Sequence, residues 1–111
     1  MPRTETAPAE RPAALFAALG DEKRLLLVDR LCTGGPMSIT RLSDGTSISR
    51  QAVTKHLHRL EAAGIVRSHR AGRERFWEIE PPRLDDARRY LELISARWDA
   101  AAQRLRRFVE D

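Results

Sequence analysis

Residues 49–66 read SRQAVTKHLHRLEAAGIV, and the fold follows from how this stretch is phased. Val53, Leu57 and Leu60 recur at helical spacing, while Gln51, Lys55, His58 and Arg59 fall on the opposite side, so an amphipathic helix is predicted over 49–63. Gly64 is its natural C-terminal stop. Upstream, Ser38 has the character of an N-cap for a short helix that turns Ile39 and Leu42 inward and ends near Gly45, with Ser47 or Ser49 opening the next. Downstream, Ile65–His69 and Arg75–Glu80 read as two short strands joined across Arg70-Ala71-Gly72-Arg73, with glycine at the tight point. Trp77 and Ile79 alternate onto one face of the second strand and should cover the helices.

Working outward, Pro12 suits the first turn of a helix that runs to about Leu19 and is stopped by Gly20. Asp21 then caps a helix over about 22–32, with Leu25, Leu26, Val28, Leu31 and Cys32 as its inward stripe, and Gly34-Gly35-Pro36 ends it. Cys32, closing that stripe, is expected to be a small buried hydrophobe. Pro81-Pro82 breaks the pattern after the second strand. From there Leu84, Ala87, Leu91, Ile94, Trp98, Ala101, Leu105 and Phe108 follow alternating spacings of three and four, a heptad seam. A helix of about 26 residues is about 39 Å long, more than the preceding domain can cover, so a second copy of the chain is the expected partner. The reading is a mainly α chain with a small antiparallel β-wing, a winged helix-turn-helix that forms a homodimer through its terminal helices. Its parts are a polar flexible tail at 1–11, the winged domain at 12–82 and a dimerisation helix at 83–111. The seam residues expected at the interface are Leu84, Leu91, Ile94, Trp98, Leu105 and Phe108, joined by the first helix around Leu15 and Phe16.

The composition narrows the functions open to such a chain. One domain's length excludes most multi-step enzymes, and no Ser-His-Asp set, glycine-rich phosphate loop or metal cluster can be assembled, so no enzyme is expected. A single cysteine excludes an intrachain disulfide and the paired thiolates of most structural zinc sites. No apolar run approaches the ~20 residues that span a bilayer, and the expectation is a cytoplasmic protein without membrane contact or cofactor. The 20 basic against 16 acidic residues give +4, but distribution decides more. Residues 48–75 alone carry a net +5 and all three histidines, leaving −1 elsewhere. A polyanion that meets the helix and wing is thereby implied.

The major groove of DNA is wide enough for one helix, and Arg, Gln, Lys and Thr can pair there with base edges or phosphates. Ser49, Arg50, Gln51, Thr54, Lys55, His58 and Arg59 are therefore the expected contacts of the reading helix, with Arg70 and Arg73 at the wing tip reaching phosphate or minor groove. His56 is expected to pack at the helix edge.

The runs LFAALGDEKRLLLVDRL (15–31), SISRQAVTKHLHRLEAAGIV (47–66) and RAGRERFWEIEPPRL (70–84) resemble the ArsR/SmtB family of bacterial transcriptional repressors, a likeness covering about residues 12–110. Its central pattern, Ser-x-x-x-Val-x-Lys-His-Leu-x-x-Leu-x-x-x-Gly, stands here without a gap. The resemblance implies a homodimer packed through its terminal helices, with Ser49–Arg59 in the major groove of a palindromic double-stranded operator, and it implies contacts from Arg50, Gln51, Thr54, Lys55 and His58.

The departures are equally informative. Metal-sensing members carry paired cysteines in the first helix of the helix-turn-helix, where this chain reads MSITRLSDGT, without Cys or His. Others use Asp and His in the terminal helix, and residues 83–111 contain no histidine. The stretch YLELISARWDAAAQRLRRFVED (90–111) is similar to a metal-independent branch, so no metal is expected, and Trp98 reads as packing rather than as a pocket wall. The alternative function is a winged-helix module that binds protein, which lacks the steep salt dependence of phosphate contacts.

Overall fold

The computed structural model describes residues 11–110. The expected tail at 1–11 lies outside them except for Arg11. Five helices and one hairpin follow in the order α1 (Pro12–Leu19), α2 (Glu22–Gly34), α3 (Ile39–Ser43), α4 (Arg50–Ala62), β1 (Val66–Ala71), β2 (Glu74–Ile79) and α5 (Pro81–Glu110). Among the described residues no helix is long and apolar enough to cross a membrane.

The helix starts stand where the capping side chains are. Asp21 accepts from the backbone N–H groups of Lys23 and Arg24, Ser38 from Arg41 and Ser49 from Ala52. The two hydrogen bonds, that from Arg24 N–H foremost, hold the Asp21 carboxyl below its ordinary value. Three arginines complete the opposite ends. Arg24 donates to Ala17 and Ala18 carbonyls at the end of α1, Arg30 to those of Leu42 in α3 and its C-cap residue Asp44, and Arg83 to that of Ala63 after α4. Each places a cation at the negative end of a helix and satisfies carbonyls that no helical N–H reaches.

The core gathers Leu15 of α1, Leu27, Val28 and Leu31 of α2, Leu42 of α3, Val53, Leu57 and Leu60 of α4, and Trp77 of β2. Leu27, Leu42, Val53, Leu57 and Leu60 are wholly excluded from solvent, and truncating any one of these leucines to alanine should cost ~2–5 kcal/mol. The strands pair antiparallel from Val66↔Ile79 to Ala71↔Glu74, so the hairpin is longer and tighter than expected. Its loop is only Gly72 and Arg73, with Gly72 at φ +66 supplying the first turn position. At the base, Met37 and Trp77 exchange both backbone hydrogen bonds, 2.9 and 2.8 Å, which anchors the wing to the segment between α2 and α3. The Met37 methyl lies over Gly34, where a Cβ would stand.

Three expectations need correction. Leu25 and Leu26 are not inward: they are 50% and 41% exposed, and Leu27 takes the buried place. Cys32 is likewise exposed rather than buried. In a run of consecutive leucines the helical phase is set by which side chains reach the core, and Leu27, Val28 and Leu31 fix it one step round from the phase of Leu25 and Cys32. Pro81 and Pro82 follow the end of β2, as expected, but they also open the next helix, since the first turn has no hydrogen bond for proline to remove. The helix α5 therefore starts two residues before the expected boundary at 83.

This last helix, 30 residues and thus about 45 Å, is held at its start by α1, where Phe16 and Tyr90 meet at 5.8 Å between ring centres. Beyond Tyr90 it leaves the domain, and every residue but Ala102 is exposed. The radius of gyration, 18.2 Å, exceeds the ~13 Å of a compact 100-residue domain because of this projection.

Candidate nucleic-acid interface

The interface is built on α4. Ser49 ends the turn after α3 with its hydroxyl bonded to Ala52 N–H at 3.1 Å, and Val53, Leu57 and Leu60 lock the inner face into the core. That leaves Arg50, Gln51 and Lys55 exposed together on the outer side. Thr54 is half-buried, and its hydroxyl donates to the Arg50 carbonyl at 2.9 Å, leaving the oxygen as an acceptor.

Between α3, the first turn of α4 and the wing lies an open groove of about 850 Å³, lined among others by Thr40, Arg41, Arg50, Glu74 and Arg75. Arg70 and Arg75 face each other across the strands, and Arg75 is steadied by donating to the Ser68 hydroxyl at 2.8 Å. Arg73 occupies the turn at the tip. From α3, α4 and β2 the exposed cations Arg41, Arg50 and Arg75 thus reach one concave face, against Asp44 and Glu74, a positive excess that attracts a polyanion.

Not all of the basic segment faces this groove. Arg67 points to the other face of the hairpin, where Glu78 and Glu80 hold its guanidinium at 2.6 and 3.1 Å; its charge is already matched. Arg59 is set apart from the other expected contacts and shares a groove with Ala14, Ala17, Ala18 and Arg24 on the α1 side. His58 leans toward the wing, 3.6 Å from the Glu61 carboxylate and edge-on to Trp77 with 5.7 Å between centres. With Thr54, Ser68 and Arg75 it lines a second groove of about 430 Å³. His56 is half-buried at the edge of α4, and its Nδ1 and the Trp77 indole N–H have no hydrogen-bond partner among the described residues.

Thr40, Arg41 and Arg75 line the first groove but are not among the contacts expected from the sequence. Thr40 and Arg41 are the exposed residues between the inward positions Ile39 and Leu42 of α3, so helical periodicity carried their signal, while Arg75 shares the strand face of Trp77, which period-two alternation carried. On α5 the seam residues divide. Leu84 packs on the core, whereas Leu91, Ile94, Trp98, Leu105 and Phe108 are 53, 41, 74, 63 and 81% exposed. Val109 extends that apolar face, and Leu25 and Leu26 add a second exposed apolar pair on α2.

Residues 19–69 match the model of a helix-turn-helix domain family. A helix-turn-helix transcriptional regulator of Methanocaldococcus jannaschii, itself uncharacterized, is 30% identical over 77 residues, 69% of this chain and 86% of that protein. The transcriptional repressor SdpR of Bacillus subtilis is 27% identical over 73 residues, 66% of this chain and 80% of its own. Among solved structures, an ArsR-like transcriptional regulator from Rhodococcus sp. RHA1 superposes with a TM-score of 0.74 at 35% identity, over 87% of this chain and 91% of that one.

Proposed function

The chain belongs to the ArsR family of winged helix-turn-helix, DNA-binding transcriptional regulators, and we propose that within it the protein is a cytoplasmic repressor that binds a palindromic operator as a homodimer. The observation that carries this reading is the concave face on which Arg41, Arg50 and Arg75 line one groove beside exposed Gln51 and Lys55. In this reading α4 enters the major groove, Gln51 and Lys55 meet base edges, and Arg50 and Arg41 meet the phosphates that border it. Arg70, Arg73 and Arg75 follow the backbone or the adjacent minor groove.

The second half of the proposal concerns the partner. A stripe from Leu91 to Val109 open to water is a large apolar surface for a soluble chain, and its heptad spacing fits a like helix. Two copies joined there present two recognition helices, which a palindrome with half-sites ~34 Å apart engages at once. The name of the Bacillus subtilis relative, a repressor, supports the direction of regulation.

Selection of bound fragments from genomic DNA, followed by footprinting, tests this. The expected result is one enriched inverted repeat, protected on both halves, with affinity that falls steeply as salt rises. Retention of no fragment above random DNA would overturn it.

A further inference from the structure

We propose that Arg83 is a positioning residue that fixes the angle between α4 and α5, and with it the half-site spacing that the dimer accepts. The inference rests on the dimeric DNA-binding reading above. Arg83 leaves the first turn of α5, and its side chain is only 11% exposed. Its Nε donates to the carbonyl of Ala63, the C-cap residue of α4, at 2.9 Å. One terminal nitrogen donates to the carbonyl of Arg11, the N-cap residue of α1, at 3.2 Å. The other meets Asp86 one turn along α5 at 3.3 Å. A single planar group therefore joins the end of the reading helix to the starts of both helices expected at the dimer interface.

Guanidinium chemistry suits this place. Its donors diverge in a rigid fork, so the directions to two separate carbonyls are set together, whereas a lysine ammonium is a point charge on a flexible stem. The Ala63 carbonyl also carries the negative end of the α4 dipole, so a charged donor is held more firmly there than a neutral one. Gly64, at φ +78, turns the chain directly after α4, and a Cβ there would come 3.8 Å from the Arg83 stem. Backbone hydrogen bonding adds one more tie nearby, from Glu80 N–H to the Ile65 carbonyl at 2.8 Å.

In a symmetric dimer any swing of α4 against α5 occurs twice. Moving the two reading helices apart by ~3.4 Å changes the accepted spacing by one base pair. A clamp at the α4–α5 corner is thus a specificity device although it touches no base.

Two measurements on the full chain test it. In the first, a spin label at Gln51→Cys, on a Cys32→Ser background, reports the distance between protomers without DNA. A narrow distribution is expected with Arg83, one at least twice as broad with Arg83→Ala, and an intermediate width with Arg83→Lys. In the second, palindromes whose halves are separated by successive single base pairs are titrated. The parent should prefer one spacing by ~10-fold or more, because a spacing that only one protomer can follow forfeits avidity. Arg83→Ala should sediment as a dimer, keep its base preference within each half-site and flatten the spacing preference to within ~3-fold. A dimeric Arg83→Ala protein with the parental distance width and spacing preference would overturn the proposal. Failure of both variants to fold would also overturn it, since Arg83 would then act in folding rather than positioning. If the parent itself gives no distance between protomers, or binds DNA at no spacing, the dimeric DNA-binding reading fails and the proposal falls with it.

Discussion

Arg70 and Arg75 are register partners across the wing, so two guanidinium groups of like charge project from the same face of one hairpin. Like charges directly opposite are unfavourable in a free sheet, and a phosphate between them reverses the sign. Arg70→Ala or Arg75→Ala is therefore expected to leave the melting temperature unchanged or slightly raised. Each should weaken binding to all DNA sequences alike and reduce the slope of log affinity against log salt by about one for each phosphate no longer paired. An effect confined to one base position would refute the phosphate assignment.

Gln51 and Lys55 are exposed on α4, and their truncation leaves the core intact. Replacing either by alanine should weaken operator binding by ~1–3 kcal/mol while the melting curve is unchanged. Fluorescence anisotropy with the operator and with a scrambled duplex tells the two kinds of interaction apart. Removing a base pairing narrows the gap between the duplexes, and removing a phosphate pairing does not.

Asp21 caps α2 through the N–H groups of Lys23 and Arg24. These bonds lower its pKa in the folded chain, so its contribution is present above the unfolded value of about 3.9 and disappears as pH falls through the folded one. Asp21→Ala should melt a few degrees below wild type at neutral pH, and the gap should close below about pH 4. A gap that persists unchanged in acid would place the effect elsewhere.

Ile94 and Leu105 lie on the exposed apolar face of α5. A glutamate at either position puts a charge into the proposed interface twice, at several kcal/mol per buried charge. Leu105→Glu is expected to sediment as a monomer and lose operator binding although no DNA-facing residue has changed. A wild-type dimer with unchanged affinity would reject the seam.

The local elements were legible because their signals are local. Asp21, Ser38, Ser49, Gly20 and Gly64 mark helix ends within a few residues of themselves, and Val53, Leu57 and Leu60 carry the phase of α4 without ambiguity. The failures have a common cause in distance along the chain. The burial of Leu27 in place of Leu26, and the exposure of Cys32, depend on what α2 packs against. The arginine contacts join residues 12 apart in Arg30–Leu42, 20 in Arg83–Ala63 and 72 in Arg83–Arg11, and no window reads such a pair. For the same reason net charge overstated the site: Arg67 counts as basic in the sequence but is spoken for by Glu78 and Glu80.

The bridge between Met37 and Trp77 makes the wing a cantilever rather than a flap. Its root is clamped on a third piece of backbone by two hydrogen bonds and by the buried Trp77 ring, 2% exposed, while its tip at Gly72 and Arg73 has no such support. Amide protons should accordingly exchange slowly at Met37 and Trp77 and progressively faster toward Ala71 and Glu74. In the proposed complex, bending of this kind would let Arg73 follow a DNA backbone whose groove width changes with base sequence while α4 stays seated, so the tip would adapt without disturbing the reading helix.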